Sequence, residues 1–253
     1  MSLASARGVV ALVPVLALLV IWHLTVVLSG SLIFPTPAHV AAGLVDLARQ
    51  GLLLKHVVAS LFRVTVGYLL AVALAVPIGM LMGWFAGVHI FLNPLVQGLR
   101  PISPIAWIPL AILWFGVGDL SPIFLIFLSS FFPMVVGTAA GVMTIDAKYL
   151  RAARNFEFSG LRLFRSVVLP AALPQIVTGM RIGLGVAWLV VVAAEMIALR
   201  SGLGYLIIDS RNAGNRYDLV VAGMIIIGLI GLLLDGVMRL LEGLKSVRWK
   251  YAR

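Results

Sequence analysis

Two opposite charges, Arg181 and Glu195, stand inside one long apolar stretch at about residues 173–197. A charge near the centre of a bilayer costs on the order of 3 kcal/mol unless it is paired or hydrated, so neither is expected to face lipid. Arg181 can steady a passing anion or bond the carbonyls around Gly183 and Gly185. Glu195 would repel an anion, so it is expected to hold a structural bond or to face an outer gate. Asp235, in the last apolar stretch, is read as structural. The two charges are fourteen residues apart, about 21 Å along one helix, so they do not pair with each other. Trp107 and Trp114 lie among Pro101, Pro104, Pro109 and Pro122. Each proline removes a backbone donor, and irregular backbone at membrane depth survives only where protein or a water-filled cavity satisfies it. This places the tryptophans beside a pathway, unless the prolines only kink a packed helix.

The rest of the chain offers little bond-making chemistry. No Ser-His, paired-carboxylate or metal-ligand arrangement occurs in the apolar stretches. His23, His39, His56 and His89 lack ligand spacing and there is no cysteine, so no metal is assigned. A phosphate-binding loop of the Gly-x-x-x-x-Gly-Lys-Ser/Thr type is absent too.

The elements that must carry these residues are membrane spans. Of 253 residues 62% are hydrophobic and 11% charged, against about a quarter charged in a soluble domain. At roughly 20 residues per span, the apolar runs predict about six crossings in an all-α chain: 8–29, 57–84, 104–115 extended backwards by 91–99, 121–142, 173–197 and 219–241. The first lacks a small-residue cleavage site and reads as a retained span. Residues 38–50 suit an amphipathic interfacial helix. Gly179, Gly183, Gly223, Gly228, Gly231 and Gly236 suit close helix packing, as does Gly185.

The net charge of +10 reflects orientation and not nucleic-acid binding. With the first residues in the cytoplasm, twelve Lys and Arg fall on that side, among them Arg7, Arg100, Lys148, Arg239 and Arg253. Five fall outside: Arg49, Lys55, Arg200, Arg211 and Arg216. The bias predicts both termini in the cytoplasm.

One long polar interruption, 146–165, separates the fourth and fifth runs. It mixes Lys148, Arg151, Arg154, Arg162 and Arg165 with Leu150, Phe156, Leu161 and Phe164. That pattern predicts two short helices broken near Ser159-Gly160, with a basic side and an apolar side that needs a partner. The alternative is a basic loop resting on anionic lipid heads.

Arg151-Ala152-Ala153, Gly160, Phe164, Val167 and Leu169-Pro170 resemble the coupling motif of ABC importer permeases: Glu-Ala-Ala, three residues, Gly, nine residues, Ile, any residue, Leu-Pro. Arg151 stands in place of the acidic residue and Glu157 in place of the glycine. Residues 100–119, with Pro101, Trp107, Pro109 and Trp114, are similar to permeases for nitrate, aliphatic sulfonates, taurine and bicarbonate. So are Arg181-Ile182-Gly183, Ala194-Glu195 and Ser201-Gly202-Leu203-Gly204-Tyr205, and the resemblance covers about 55–242.

The resemblance implies a single transmembrane domain over 1–253, like type I importer permeases, with a coupling segment at about 146–168. It further implies that Arg151, Ala152, Ala153, Arg154, Phe156, Glu157, Gly160, Phe164, Leu169 and Pro170 dock onto an ATPase subunit dimer. That partner, not this chain, would hold ATP and magnesium. Gly202 and Gly204 would shape an outer loop meeting a periplasmic or lipoprotein substrate-binding protein. One chain is small for a pathway, so a second copy, or a paralogue, is expected. The implied place is the bacterial inner membrane, and the function import of a small anionic solute that the sequence does not name. A self-contained channel or secondary transporter is the alternative, though no inverted repeat is visible.

Overall fold

The computed structural model describes residues 3–30, 33–212 and 214–243. The four basic residues expected near the C-terminus beyond 243 lie outside them. Every described element is helical: α1 (Leu3–Ser29), α2 (Pro37–Arg49), α3 (Leu52–Trp84), α4 (Ala86–Leu99), α5 (Ile108–Phe115), α6 (Leu120–Met143), α7 (Ala147–Asn155), α8 (Gly160–Leu163), α9 (Leu169–Ala198), α10 (Leu203–Asn212) and α11 (Tyr217–Glu242).

The centre of the molecule is α3, α6 and α9, and small residues set how closely they approach. On α3, Gly67, Ala71, Ala75, Gly79 and Gly83 recur every fourth residue, on one face. A Cβ at Gly67 would lie 2.7 Å from the Ile123 carbonyl oxygen, at Gly79 2.7 Å from that of Val135, and at Gly83 2.7 Å from that of Ala139. No side chain fits between these backbones, which is how helices without a hydrophobic drive between them gain contact. On the other side of α6, Gly137 lies against Gly179 and Ser130 against Gly183. These pairings make α3 and α6 parallel, and α9 antiparallel to both.

Parallel α3 and α6 force the chain to recross between them. Trp84 ends α3 beside Val142, at the far end of α6 from Leu120, and α6 is about 36 Å long. The recrossing is α4 followed by a 3₁₀ turn at Pro104–Trp107 and α5, bent by 84° at the break. The third run is therefore not one straight span. Pro101, Pro104, Pro109 and Pro122 do not kink a helix: Pro101 lies in the break, and the others sit at the starts of the 3₁₀ turn, α5 and α6. A missing N–H is harmless in a first turn. Ser121 donates to the carbonyls of Ala111 and Gly116, tying the start of α6 back onto α5. Arg100 lies at the break, about 21 Å along α4 from its start.

Among the described residues four helices are long and apolar enough to cross a membrane, five if the bent pair is one span; α1, with 27 residues, has the length for another. The glycines of α11 divide. Gly223 and Gly231 pack against Ile207 and Trp188, whereas Gly228 and Gly236, and Gly185 on α9, meet nothing within 4 Å. Close packing within the chain therefore explains only some of them.

Candidate functional site

The polar interruption folds as a helical hairpin at one end of the bundle. Asp146 caps α7, its carboxylate accepting the Lys148 backbone N–H at 2.9 Å and the Lys148 ammonium at 2.8 Å. The Lys148 side chain, and then its backbone N–H, hold the Asp146 carboxyl below its ordinary range. The C-terminus of α7 closes in a left-handed turn: Glu157 has φ +58°, and the Phe158 N–H reaches back to the Ala153 carbonyl. This backbone conformation favours a glycine, and Glu157 adopts it at a cost. After Ser159, Gly160 opens α8 with φ +50°.

From Gly160 the chain stays helical to Ile197, a run of 38 residues. Its one irregularity is a wide π turn at Phe164–Val168, where the Leu169 N–H bonds the Phe164 carbonyl. Pro170 follows at once; lacking an N–H and crowding the carbonyl four residues back, it explains the widened turn. Leu169-Pro170 thus joins the hairpin to α9 without breaking the rod. Val168, fully buried among Met80, Val142, Ala172 and Ile176, seats that joint against the ends of α3 and α6.

The apolar residues of the hairpin do not form one side. Leu150 and Phe164 pack inward, Phe164 edge-on to Trp84 with ring centres 6.2 Å apart. Phe156 and Leu161 point outward, 77% and 66% exposed. Ala153 is buried while Ala152, one step around the helix, is exposed. Arg151, Arg154, Arg162 and Arg165 are exposed and make no ion pair among the described residues.

The two intramembrane charges sit far apart on α9, Arg181 near its middle and Glu195 near its C-terminal end, each with partners of its own. Arg181 bonds Asp235 at 2.7 Å and Glu242 at 2.9 Å, and Asp235 also takes Arg239 at 2.8 Å. It bonds neither the Gly183 nor the Gly185 carbonyl, because two carboxylates of α11 outcompete neutral acceptors. A groove of about 590 Å³ opens beside it, between α9 and α11.

Glu195 is wholly buried, which removes it from any solute's reach. Its carboxylate takes the Arg63 guanidinium at 2.6 Å, the Ser60 hydroxyl at 2.8 Å and the Gly204 N–H at 3.0 Å. Arg63 also bonds Asp119 and both the carbonyl and hydroxyl of Ser201. Ser60 accepts the Leu203 N–H, and His56 Nδ1 accepts that of Gly202. Nine residues, from α3, the residue before α6, α9, the elbow at 199–202 and the start of α10, thus lock together around one carboxylate. Gly202, at φ +108°, has the Glu195 carboxylate where a Cβ would stand, so this lock by itself requires a glycine there.

Trp107 and Trp114 do come together, with ring centres 6.4 Å apart; Trp107 packs beside Val186 of α9, and Trp114 is half exposed. Reading the sequence assigned no bonding role to Arg63 or Ser60, and it marked His56 only as lacking ligand spacing and Asp119 and Ser201 only as parts of stretches similar to the family.

Comparison with known proteins follows this geometry. Residues 75–246 match the family described as binding-protein-dependent transport system inner membrane component. A putative ABC transporter permease of Methanocaldococcus jannaschii is 42% identical over 90% of this chain and 87% of its own. A putative aliphatic sulfonates transport permease of Bacillus subtilis is 39% identical over 86% of this chain and 78% of its own. Among solved structures, the inward-facing MetNI methionine ABC transporter shares the fold, with a TM-score of 0.60 at 20% identity over 74% of this chain and 95% of that one.

Proposed function

Because the chain belongs to the family of inner membrane components of binding-protein-dependent transport systems, we propose that it is a permease that turns ATP hydrolysis on a partner into uptake of a small anionic solute of the sulfonate type. The observation that carries this is the hairpin: outward-facing Phe156 and Leu161, ringed by unpaired arginines and joined to α9 by one unbroken helical run. An ATPase dimer grips that surface, with Phe156 and Leu161 as apolar anchors and exposed Ala152 letting the surfaces close. A push on the hairpin then moves α9 as a rod against α3 and α6. ATP and magnesium stay on the partner.

The hairpin end is the cytoplasmic one, with both termini, and the elbow end receives the loaded binding protein. Spans exposed along α11, with Gly228 and Gly236 open, suit a second copy of the chain. Trp107 and Trp114 line the pathway between the copies, and Arg181 meets the anion when its bonds to α11 open. The aliphatic sulfonates relative supports a compact oxyanion as solute.

Affinity purification of the full chain from its native membrane tests the assembly. Two permeases, two ATPases and a binding protein are expected, with uptake that requires ATP. A lone monomer that transports without ATP would refute the proposal.

A further inference from the structure

Between the end of α3 and the α7–α8 hairpin lies an open groove of about 730 Å³. Leu81, Trp84 and Phe85 form one wall, and Phe158, Leu161 and Phe164 the other. Arg154 stands on the rim, and the Arg162 guanidinium lies over the Phe158 ring, 4.4 Å from its centre. Neither arginine has a carboxylate partner among the described residues. Leu81 and Phe85 are themselves exposed on the flank of a spanning helix, so the groove is continuous with the lipid-facing surface and opens where that helix ends. A tryptophan at such a helix end marks the headgroup level.

An apolar slot with Arg154 on its rim, and with Arg162 stacked on its wall residue Phe158, matches one kind of molecule already present at that depth. We propose that the groove holds an acyl chain of an anionic phospholipid, with its phosphate between Arg154 and Arg162. A hydrocarbon chain fills the slot between Trp84 and Phe164, and the phosphate gives both guanidinium groups a charge-assisted partner. The lipid thereby spans the gap between α3 and the hairpin; exposed Phe156 and Ala152 lie outside the groove, and Leu161 borders both the groove and the ATPase-facing surface.

Full-length protein in phosphatidylcholine vesicles carrying a minor fraction of acyl-brominated phosphatidylglycerol, or acyl-brominated phosphatidylcholine, tests this. Bromine quenches tryptophan on contact, and the Trp84 signal is the difference between the wild type and Trp84→Phe. Half-quenching by the phosphatidylglycerol should need about fivefold less lipid for each arginine engaged. The Arg154→Gln, Arg162→Gln double variant should bring the two curves together, and inorganic phosphate should change neither. Equal quenching by the two lipids in the wild type, or loss of the preference on adding phosphate, would overturn the proposal. Relief of the quenching when the ATPase partner is added would overturn it too, by making the groove a protein socket.

Discussion

Arg63 and Glu195 meet at 2.6 Å in the interior of the bundle although 132 residues separate them in sequence. Each is almost completely buried, and together they lock one end of α9 to α3 and the elbow while its other end carries the hairpin.

Removing one partner of that pair leaves an uncompensated buried charge, a loss of about 3–5 kcal/mol. Glu195→Ala and Arg63→Ala should each lower the denaturation midpoint in detergent sharply. The double variant Arg63→Met, Glu195→Leu should lose much less than the two losses added together. Additive losses would mean that the two side chains do not act as a pair.

The packing stripe on α3 gives a sharp contrast. Gly79→Val drives a side chain into Thr138 and the Val135 carbonyl, and should cost several kcal/mol, about 3 on the scale of overpacked cores. Gly98→Ala, where nothing lies within 4 Å, should leave the midpoint within about 0.5 kcal/mol of wild type. Thermal unfolding in one detergent compares them directly.

Much of this architecture could be read in the sequence, and the omissions have physical reasons. Long apolar runs announced the spans because a bilayer admits little else. The hairpin announced itself because a segment both basic and apolar suits neither lipid nor water alone. The 84° bend after α4 was hidden because proline marks a helix start as readily as a kink. The partners of Glu195 lie on α3 and at the start of α10, and nothing local points to those on α3. A signal did exist: Arg63 and Arg181 are cations well inside spans, Glu195 and Asp235 two of the few anions there, and matching them by depth pairs them as found. Period-four small residues from Gly67 to Gly83 likewise pointed to the α3–α6 seam.

Glu157 occupies left-handed backbone at the end of α7 with φ +58°. Glu157→Gly should stabilise the hairpin by about 1 kcal/mol, seen as slower amide hydrogen exchange at Phe156 and Phe158. Unchanged or faster exchange would show that the glutamate side chain contributes a bond that offsets its strain.

Arg181 has both a structural and a transport reading, and they separate in uptake assays. Arg181→Met should reduce anion uptake about tenfold if the guanidinium meets the solute, and Arg181→Met, Asp235→Asn should not restore it. Restoration in the double variant would assign Arg181 to holding α9 against α11 alone.

The direct test of the coupling role is uptake measured together with ATP hydrolysis in the reconstituted transporter. Phe156→Asp, Leu161→Asp and Ala152→Asp change exposed side chains; Ala153 is unsuitable because it is buried. Uptake should fall about thirtyfold in the Phe156 and Leu161 variants, as for an interface anchor, and loaded binding protein should no longer stimulate hydrolysis, while the unfolding midpoint stays at the wild-type value. Wild-type uptake and stimulation in Phe156→Asp and Leu161→Asp would contradict the account.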